Sequence, residues 1–276
     1  MPRTTAEKRA AFRSLHASGC FVLPNPWDIG SARMLQQLGF EALASTSSGY
    51  AWSTGRPDYA VTRDDVLQHL TALSAAVDLP INADFESGFA TEPEQLAANV
   101  ALAIQTGIAG LSIEDRDLRR PTALYDTALA LERIRAARAA IDAAGGDVLL
   151  VARTEGLLSD RSALQPAIER LVAFAEAGAD CLFAPGVTKP EDIAAMVRAV
   201  APKPLNVLVL DSTQTLAQLR DLGVRRLSVG GALARSAWAG VLSAARQLQA
   251  GSFAALASAT PGRELNELFR ASAQRG

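Results

Sequence analysis

The hydrophobic positions of this chain follow two patterns that alternate along most of its length. Short apolar runs rich in strand-forming residues end in polar residues, glycine or proline, and alanine-rich stretches with helical spacing follow them. The pattern predicts strands at residues 20–25, 41–48, 79–84, 109–115, 147–155, 179–185, 204–210 and 225–231. It predicts helices near residues 28–38, 62–76, 93–106, 127–144, 162–177, 190–199, 213–221 and 232–249.

Four of the predicted helices end in a similar short signature that leads into the next strand. The signatures are QLGFEAL, QTGIAGL, EAGADCL and DLGVRRL. A glycine at this place is typical of a left-handed cap that closes a helix before a short turn. The repetition therefore supports a regular succession of strand–helix units.

Eight such units in about 250 residues are typical of an α/β fold of the (β/α)8 (TIM) barrel type. A doubly wound open sheet is the main alternative, but PNPWDIGSA after the first strand lacks its G-x-G-x-x-G phosphate loop. Residues 250–276 exceed what eight units require and contain a Pro-Gly break followed by a short amphipathic helix. We expect one barrel domain over residues 1–276, with a C-terminal helical extension from about residue 250.

The composition narrows the classes of function. Of the 276 residues, 49% are hydrophobic and 20% are charged, so a sizeable core is expected. The net charge of -2 gives no case for binding nucleic acid or an anionic membrane. The only histidines, His16 and His69, fall in helices expected at the surface, which disfavours a histidine site. The polar start and the lack of a run of about 20 apolar residues lead us to expect a cytoplasmic protein.

Acidic residues follow two neighbouring strands. Asp84 and Glu86 end the third predicted strand and Glu114 ends the fourth. In a barrel these ends meet at one mouth, where carboxylates repel one another unless a cation lies among them. Oxygen ligands without histidine or cysteine favour Mg²⁺ or Mn²⁺. Helix capping or pairing with arginine would explain a single such acid, whereas three together favour a cation site.

Other polar residues at the strand ends suit an anionic ligand. Arg153 lies in an apolar strand and needs an anion, either a protein carboxylate such as Glu155 or Glu114 or a substrate group. Asn206 on the seventh strand is a further candidate, directed either to the mouth or into the barrel. The second predicted strand ends in polar and small residues whose hydroxyls and N–H groups could hold a carboxylate or an oxyanion: Ser47, Ser48, Gly49 and Tyr50.

Two alternative chemistries are weaker. SVGGAL after the eighth strand is similar to a phosphate-binding glycine turn, but close packing of a helix on the strand explains it as well. Schiff-base chemistry needs a lysine at a strand end, and the only lysines are Lys8, Lys189 and Lys203. We therefore favour packing for the glycines and disfavour a lysine aldolase.

Taken together, these segments resemble the isocitrate lyase/phosphoenolpyruvate mutase superfamily. The match runs in order over about residues 15–245, through PNPWDIGSAR, STSSGYAWSTGRPD, INADFESGF, GLSIEDR, VARTEG, EAGADCLF and GGALARSAW. The resemblance implies a Mg²⁺ site and a 2-oxo acid held as an enolate. It also implies homodimers or homotetramers in which a C-terminal helix is exchanged between subunits.

The resemblance also implies roles for individual residues. Asp84 would bind the metal directly, and Glu86 and Glu114 would hold it mainly through water. Arg153 would bind the substrate carboxylate, with Ser48, Gly49 and Tyr50 forming the oxyanion pocket. Asp58, in GRPD, matches an aspartate of a mobile loop, and it joins Arg153 and Glu114 as a predicted catalytic residue.

The chain also departs from the family pattern. After the fourth strand, EDRDLRRPTALYD lacks the K-[KR]-C-G-H segment of isocitrate and methylisocitrate lyases. It carries Arg116, Arg119 and Arg120 where the phosphonate branch has a Lys/Asn loop, and APG at 184–186 where that branch has a histidine. These differences disfavour isocitrate cleavage and phosphonomutase activity.

The leading hypothesis is a Mg²⁺-dependent lyase-type enzyme acting on a small 2-oxo acid or dicarboxylate. It would cleave a C–C bond or decarboxylate its substrate through an enolate. The alternatives are P–C chemistry of the phosphonopyruvate or carboxyphosphonoenolpyruvate type, a 2-oxo acid binding protein without turnover, and a phosphate-binding barrel that uses SVGGAL. The choice between dimer and tetramer stays open.

Overall fold

Eight parallel strands form one sheet in this protein. A computed structural model describes residues 2–120 and 122–273. The strands are β1 Phe21–Leu23, β2 Leu43–Ala44, β3 Ile81–Asp84, β4 Gly110–Glu114, β5 Leu149–Arg153, β6 Cys181–Phe183, β7 Leu205–Leu208 and β8 Arg226–Ser228. Their order is β1-β8-β7-β6-β5-β4-β3-β2. The Ala44 N–H donates to the Pro24 carbonyl at 3.1 Å, which brings the two edges together.

Helices lie between the strands and surround this nearly closed barrel. They are α1 Thr5–Ala17, α2 Ile29–Gln37, α3 Ser47–Ser53, α4 Arg63–Ala76, α5 Pro93–Gln105, α6 Thr127–Ala143, α7 Gly156–Ser159, α8 Leu164–Glu176, α9 Pro190–Val200, α10 Leu216–Asp221, α11 Ala232–Gln249 and α12 Gly262–Ala273. The predicted (β/α)8 barrel is confirmed. Within the described ranges, no helix is both long and apolar enough to cross a lipid bilayer.

The glycines of the recurring signature have the conformation that the sequence predicts. Gly39, Gly107, Gly178 and Gly223 have φ angles of 87°, 86°, 107° and 89°. Side chains with a Cβ rarely adopt this left-handed region, so glycine ends each helix and starts the turn into the next strand.

The second predicted strand is wrong in its last residues. Strand β2 comprises only residues 43–44, and Thr46 caps a helix, α3, because its hydroxyl accepts from the Gly49 N–H at 3.3 Å. The Ser-Ser-Gly-Tyr segment therefore begins a helix at the barrel mouth instead of ending a strand.

Helix α1 packs against the N-terminal ends of the strands. Phe12 is fully buried in a cluster with Phe21 and Leu149 at the starts of β1 and β5. The ring of His16 lies 4.6 Å from that of Phe12, and His16 is only 9% exposed. The expectation that His16 lies at the surface is wrong, because α1 presents it to the barrel interior.

The segment after α11 folds back onto the barrel. A 3-10 turn at Ala254–Ser258 leads to α12, which packs against α2 of the same chain. A C-terminal helical extension is therefore present, while its exchange between subunits stays a prediction.

Candidate active site

A polar cavity of about 160 Å³ opens at the C-terminal end of the barrel. Its lining includes side chains from β2, β3, β4, β5 and β8 and from the loops that follow β1 and α3. An adjoining chamber of about 470 Å³ shares Asp58, Tyr59 and Arg153 with it. The arrangement is the one expected for a barrel enzyme, whose chemistry occurs where strands lead into helices.

Asp84 is the last residue of β3 and is fixed by two backbone contacts. Its Oδ2 accepts from the Ser47 N–H at 3.0 Å, and its own N–H donates to Ser45 Oγ at 2.8 Å. Its Oδ1 is buried and has no hydrogen-bond partner within the described part of the chain. This oxygen faces the Arg153 guanidinium, with 3.5 Å between Oδ1 and Nη1.

Arg153, the last residue of β5, lies among three carboxylates. Its Nη1 is also 3.5 Å from Glu114 Oε2, and its Nε donates to Glu155 Oε1 at 2.5 Å. Glu114 and Glu155, the two protein carboxylates that the sequence suggests as partners of Arg153, therefore both lie next to it. Burial lowers the pKa of Arg153, but the surrounding carboxylates outweigh this effect and raise it well above its usual value.

Glu114 ends β4 and is almost completely buried. Burial raises its pKa, Arg153 opposes that rise, and the nearby Glu155 and Asp84 carboxylates add to it. The Tyr59 hydroxyl donates to Glu114 Oε1 at 3.0 Å. Sequence reasoning missed Tyr59, which lies in a loop with a positive φ of 63° and no periodic pattern around it.

Glu86 lies in a tight turn after β3, so the alternation of side chains along a strand does not extend to it. Its φ is 50°, and its Oε1 is buried without a hydrogen-bond partner within the described ranges. It lines a separate cavity beside Tyr59 and Phe89. Burial and the Asp84 carboxylate raise the pKa of Glu86 to about 8.

Asp58 lies at the rim, where it lines both the cavity and the adjoining chamber. Its Oδ1 accepts from the Tyr59 N–H at 3.1 Å. Partial burial and the Asp84 carboxylate raise its pKa. The structure thus brings Asp58 close to the predicted cation site.

The four residues predicted to bind substrate after β2 have different environments. Ser47 and Ser48 line the cavity. The Gly49 N–H is bonded to Thr46 Oγ1, and a Cβ at Gly49 would lie 2.9 Å from Trp27 Cβ. The Tyr50 hydroxyl donates to the Asp65 carbonyl at 3.2 Å, and its ring stacks on His69 at 3.9 Å. The geometry therefore favours Ser47 and Ser48 as the ligand contacts.

Asn206 is directed into the barrel interior below the mouth. Its Oδ1 accepts from Arg226 Nε at 2.8 Å, and its Nδ2 donates to Ser228 Oγ at 3.0 Å. Arg226 and Ser228 both line the cavity. Arg226 in RRLSVGG is, like Arg153, an arginine in an apolar strand, and this feature of the sequence is the signal that could have identified it.

The glycines after β8 serve packing, as the sequence analysis favours. A Cβ at Gly231 would lie 2.8 Å from Ser48 Oγ and 3.0 Å from Trp52 Cζ3. The Val229 and Gly230 N–H groups both donate to Asn25 Oδ1 at 2.9 Å. These donors are thus bonded within the protein.

The loop after β4 uses its arginines in two ways. Arg119 and Arg120 pair with Asp117, each with a nitrogen–oxygen distance of 3.1 Å. Arg116 instead stacks over the Tyr59 ring, with its guanidinium carbon 3.7 Å from the ring centre. Arg116 is therefore the loop arginine at the chamber that contains Arg153.

The acidic cluster, formed by Asp84, Glu86, Glu114 and Glu155, suits a divalent cation in its charge and in the type of its donor atoms. Two buried carboxylate oxygens, Asp84 Oδ1 and Glu86 Oε1, lack hydrogen-bond partners in the described ranges, and carboxylates outnumber the Arg153 guanidinium. In those ranges no three histidine, cysteine or acidic side chains converge closely enough to hold an ion jointly. A site with one direct carboxylate and bound water agrees with both observations.

Comparison with known proteins identifies the family of this chain. The profile of the phosphoenolpyruvate phosphomutase family matches residues 12–249. The chain is 35% identical to 2-methylisocitrate lyase of Escherichia coli, over 64% of each chain. It is 33% identical to oxaloacetate decarboxylase of Pseudomonas aeruginosa, over 79% of this chain and 77% of that one.

A solved structure from Burkholderia cenocepacia J2315, a provisionally assigned lyase/mutase, superposes with a TM-score of 0.93. It is 46% identical, and the match covers 96% of this chain and 97% of that one. Relatives named in these comparisons are lyases, decarboxylases and mutases that act on carboxylates. This chain therefore belongs to the phosphoenolpyruvate phosphomutase family, within the isocitrate lyase/phosphoenolpyruvate mutase superfamily.

Proposed function

We propose that this protein is a Mg²⁺-dependent lyase that acts on a small 2-oxo acid or related dicarboxylate, with Mn²⁺ as a possible substitute. It would break a C–C bond next to the 2-oxo group, as in decarboxylation, and leave an enolate. The observation that carries the proposal is the group of carboxylates around Arg153, where Asp84 Oδ1 is buried without a hydrogen-bond partner in the described ranges, as is Glu86 Oε1 in the turn after β3.

The residues that would hold the cation follow from the geometry. Asp84 would bind it directly, and Glu86 and Glu114 would contact its water ligands, since Mg²⁺ usually takes one or two protein carboxylates. A divalent cation bound there would act as a Lewis acid toward a 2-oxo carboxylate. It would also offset the negative charge that otherwise repels an anionic substrate.

The other residues of the cavity would bind and orient the substrate. Arg153 would hold the carboxylate beside the 2-oxo group, because its planar guanidinium suits bidentate contacts. The Ser47 and Ser48 hydroxyls line the same cavity and can donate to an oxygen on which charge develops. Tyr59 orients Glu114, and Asp58 lies at the rim of the cavity.

Decarboxylation fits the chain because it needs no acid or base from the loop after β4. EDRDLRRPTALYD contains no cysteine, histidine or lysine, and two of its arginines pair with Asp117. The same observation supports a second candidate, a protein that binds 2-oxo acids without turnover.

The proposed assembly is a homodimer or homotetramer in which α12 is exchanged between subunits. Its support is an apolar surface on and after α11, where Trp238, Val241, Leu242, Phe253 and Leu256 are all at least 41% exposed. Exposed apolar groups of this size commonly mark an interface. Light scattering of the purified chain would decide between the two assemblies.

Turnover measurements test the proposed reaction. Oxaloacetate, 2-methylisocitrate and phosphonopyruvate are each offered with Mg²⁺ and, in parallel, with EDTA. We expect oxaloacetate to be consumed faster than in protein-free Mg²⁺ solution, and this protein-dependent turnover to be lost with EDTA. Turnover of phosphonopyruvate alone would establish P–C chemistry instead. Mg²⁺-linked binding of these acids without turnover would favour the second candidate.

A further inference from the structure

Arg226 is a buried arginine whose contacts are all with uncharged groups. It is the first residue of β8 and is 2% exposed. Its Nε donates to Asn206, and its Nη1 lies 3.3 Å from Asn82 Oδ1 and 3.4 Å from His16 Nε2. No aspartate or glutamate of the described ranges pairs with it. Burial lowers the pKa of Arg226, but arginine stays charged near neutral pH.

His16 cannot supply the missing negative charge. Its Nδ1 is 2.8 Å from the Phe12 carbonyl oxygen, so Nδ1 carries the proton and Nε2 accepts from Arg226. The ring is therefore neutral. A buried guanidinium without a counter-charge is unfavourable unless several dipoles replace the water that it loses.

Another buried arginine shows how this chain satisfies a guanidinium without an acid. Arg133 is 1% exposed and donates to the carbonyls of Ser87, Ala90 and Thr91. Its guanidinium also lies over the Tyr125 ring, 4.4 Å from the centre. The space beside Arg133 is too small for a water molecule. Arg133 is thus fully enclosed by protein groups and has a structural role. Arg226 differs because it borders the 160 Å³ cavity.

The cavity connects Arg226 with the acidic cluster at the mouth. Asn82, which contacts Arg226, lies two residues before Asp84 on β3, which is about 7 Å along a strand. Apart from Arg226 and the charged side chains toward the mouth, the lining is uncharged, with Ser45, Ser112 and Ser228 beside Ala44, Phe183 and Leu208. A ligand in this cavity therefore meets one guanidinium near the mouth and another at the floor.

We propose that Arg226 forms an anion subsite at the floor of the cavity and holds the second carboxylate of a short dicarboxylate. The identity of the other end, a 2-oxo acid at Arg153, rests on the proposed function. The site then selects dicarboxylates over monocarboxylates, because only a dicarboxylate places one carboxylate at each guanidinium at the same time.

Calorimetry with unreactive ligands tests the subsite without requiring turnover. Malonate and succinate are compared with acetate and pyruvate in Mg²⁺-loaded wild type, Arg226→Met and Arg226→Lys. In wild type, we expect at least one dicarboxylate to bind about tenfold to one-hundredfold more tightly than the monocarboxylates. Arg226→Met should abolish this preference while pyruvate binding stays, and Arg226→Lys should restore part of it.

Asn206→Asp provides a second variant that keeps the guanidinium. The new carboxylate would neutralise Arg226 in place of a ligand carboxylate, and the Ser228 hydroxyl can turn to donate to it. We expect the dicarboxylate preference to fall as in Arg226→Met. An unchanged preference in both variants, or none in wild type, overturns the subsite. A preference that depends on Arg226 in a protein without turnover would sustain the subsite and contradict only the proposed reaction.

Discussion

Arg153 Nη1 lies 3.5 Å from Asp84 Oδ1, and this oxygen makes no hydrogen bond within the described ranges. The same guanidinium is the positive charge nearest to Glu114 and Glu155. The acidic cluster is therefore held together by one arginine that cannot satisfy every carboxylate. Loss of that arginine should leave several buried negative charges without compensation.

Arg153→Met should destabilise the apoprotein by about 3 kcal/mol, since breaking a buried ion pair leaves unpaired charge. Mg²⁺ should restore about 2 kcal/mol near saturation and stabilise this variant more than wild type, because no guanidinium competes for the carboxylates. Urea unfolding with and without Mg²⁺ measures both effects.

Arg170→Met is the matched control. Arg170 pairs with Asp115 at 3.3 Å, and the two side chains are as buried as Arg153 and Glu114. This variant should be destabilised without preferential rescue by Mg²⁺. Equal rescue of the two variants would contradict a cation site at the Arg153 cluster.

Tyr59→Phe removes the hydroxyl that donates to Glu114 Oε1. Because that hydrogen bond lowers the pKa of Glu114, its loss should raise this pKa further and move the acid limb of the activity profile to higher pH. We expect about a tenfold loss in kcat/KM for the acid that is turned over. Tyr50→Phe, whose hydroxyl bonds the Asp65 carbonyl, should show a clearly smaller loss and no shift of the limb. Indistinguishable profiles for the two variants would remove Tyr59 from the site.

Acid should destabilise the protein partly through His16. Burial, followed by the Arg226 charge, lowers its pKa to about 3 in the folded state, below the unfolded value of about 6.5. The unfolded chain therefore binds the proton first as the pH falls, so folding stability decreases from about pH 6.5 down to about pH 3.

His16→Gln should lose about 2 kcal/mol less than wild type between pH 7 and pH 4.5, because the titrating group is gone. His69, whose pKa burial lowers to about 4, remains in both proteins, so its contribution cancels. The measurement is the free energy of unfolding in urea at the two pH values. Parallel losses in the two proteins would show that His16 is not buried in its neutral form.

Gly49→Ala should destabilise the protein by about 1–3 kcal/mol, the usual range for overpacking. Its Cβ would lie 2.6 Å from Thr46 Cγ2 and 2.9 Å from Trp27 Cβ at the start of α3. Gly240→Ala in α11 is the control, because its Cβ would meet no atom of the described residues within 4 Å and alanine favours a helix. Thermal unfolding should place the two variants on opposite sides of wild type. A neutral Gly49→Ala would mean that α3 packs less closely at the mouth.

The barrel and the proximity of Asp84, Glu114 and Arg153 could be predicted from the sequence. Hydrophobic periodicity identifies the strands, and parallel strands of a barrel bring their C-terminal ends to one mouth. The sequence was insufficient for residues outside that periodicity. Glu86 lies in a turn, and Tyr59 reaches Glu114 from a loop at positive φ, so neither orientation follows from strand alternation.

Local competition explains the other differences. The sequence pattern predicts that the strand continues after Ala44. Instead, the Thr46 side chain accepts a hydrogen bond from the Gly49 N–H and starts a helix. Tyr50 is thereby turned toward Asp65 and His69. Arg226, by contrast, could have been identified from the sequence. A charged residue in an apolar strand indicates a buried ion that needs a partner.

The most direct test of the cation site is Mn²⁺ binding measured by electron paramagnetic resonance, with Mg²⁺ as competitor. Wild type should bind one ion that Mg²⁺ displaces, and Asp84→Asn should lose that binding while its circular dichroism spectrum is unchanged. Asp142→Asn, which removes an exposed carboxylate paired with Arg138, should bind as wild type does. Retained Mn²⁺ binding in Asp84→Asn, or none in wild type, would contradict a divalent cation held by Asp84.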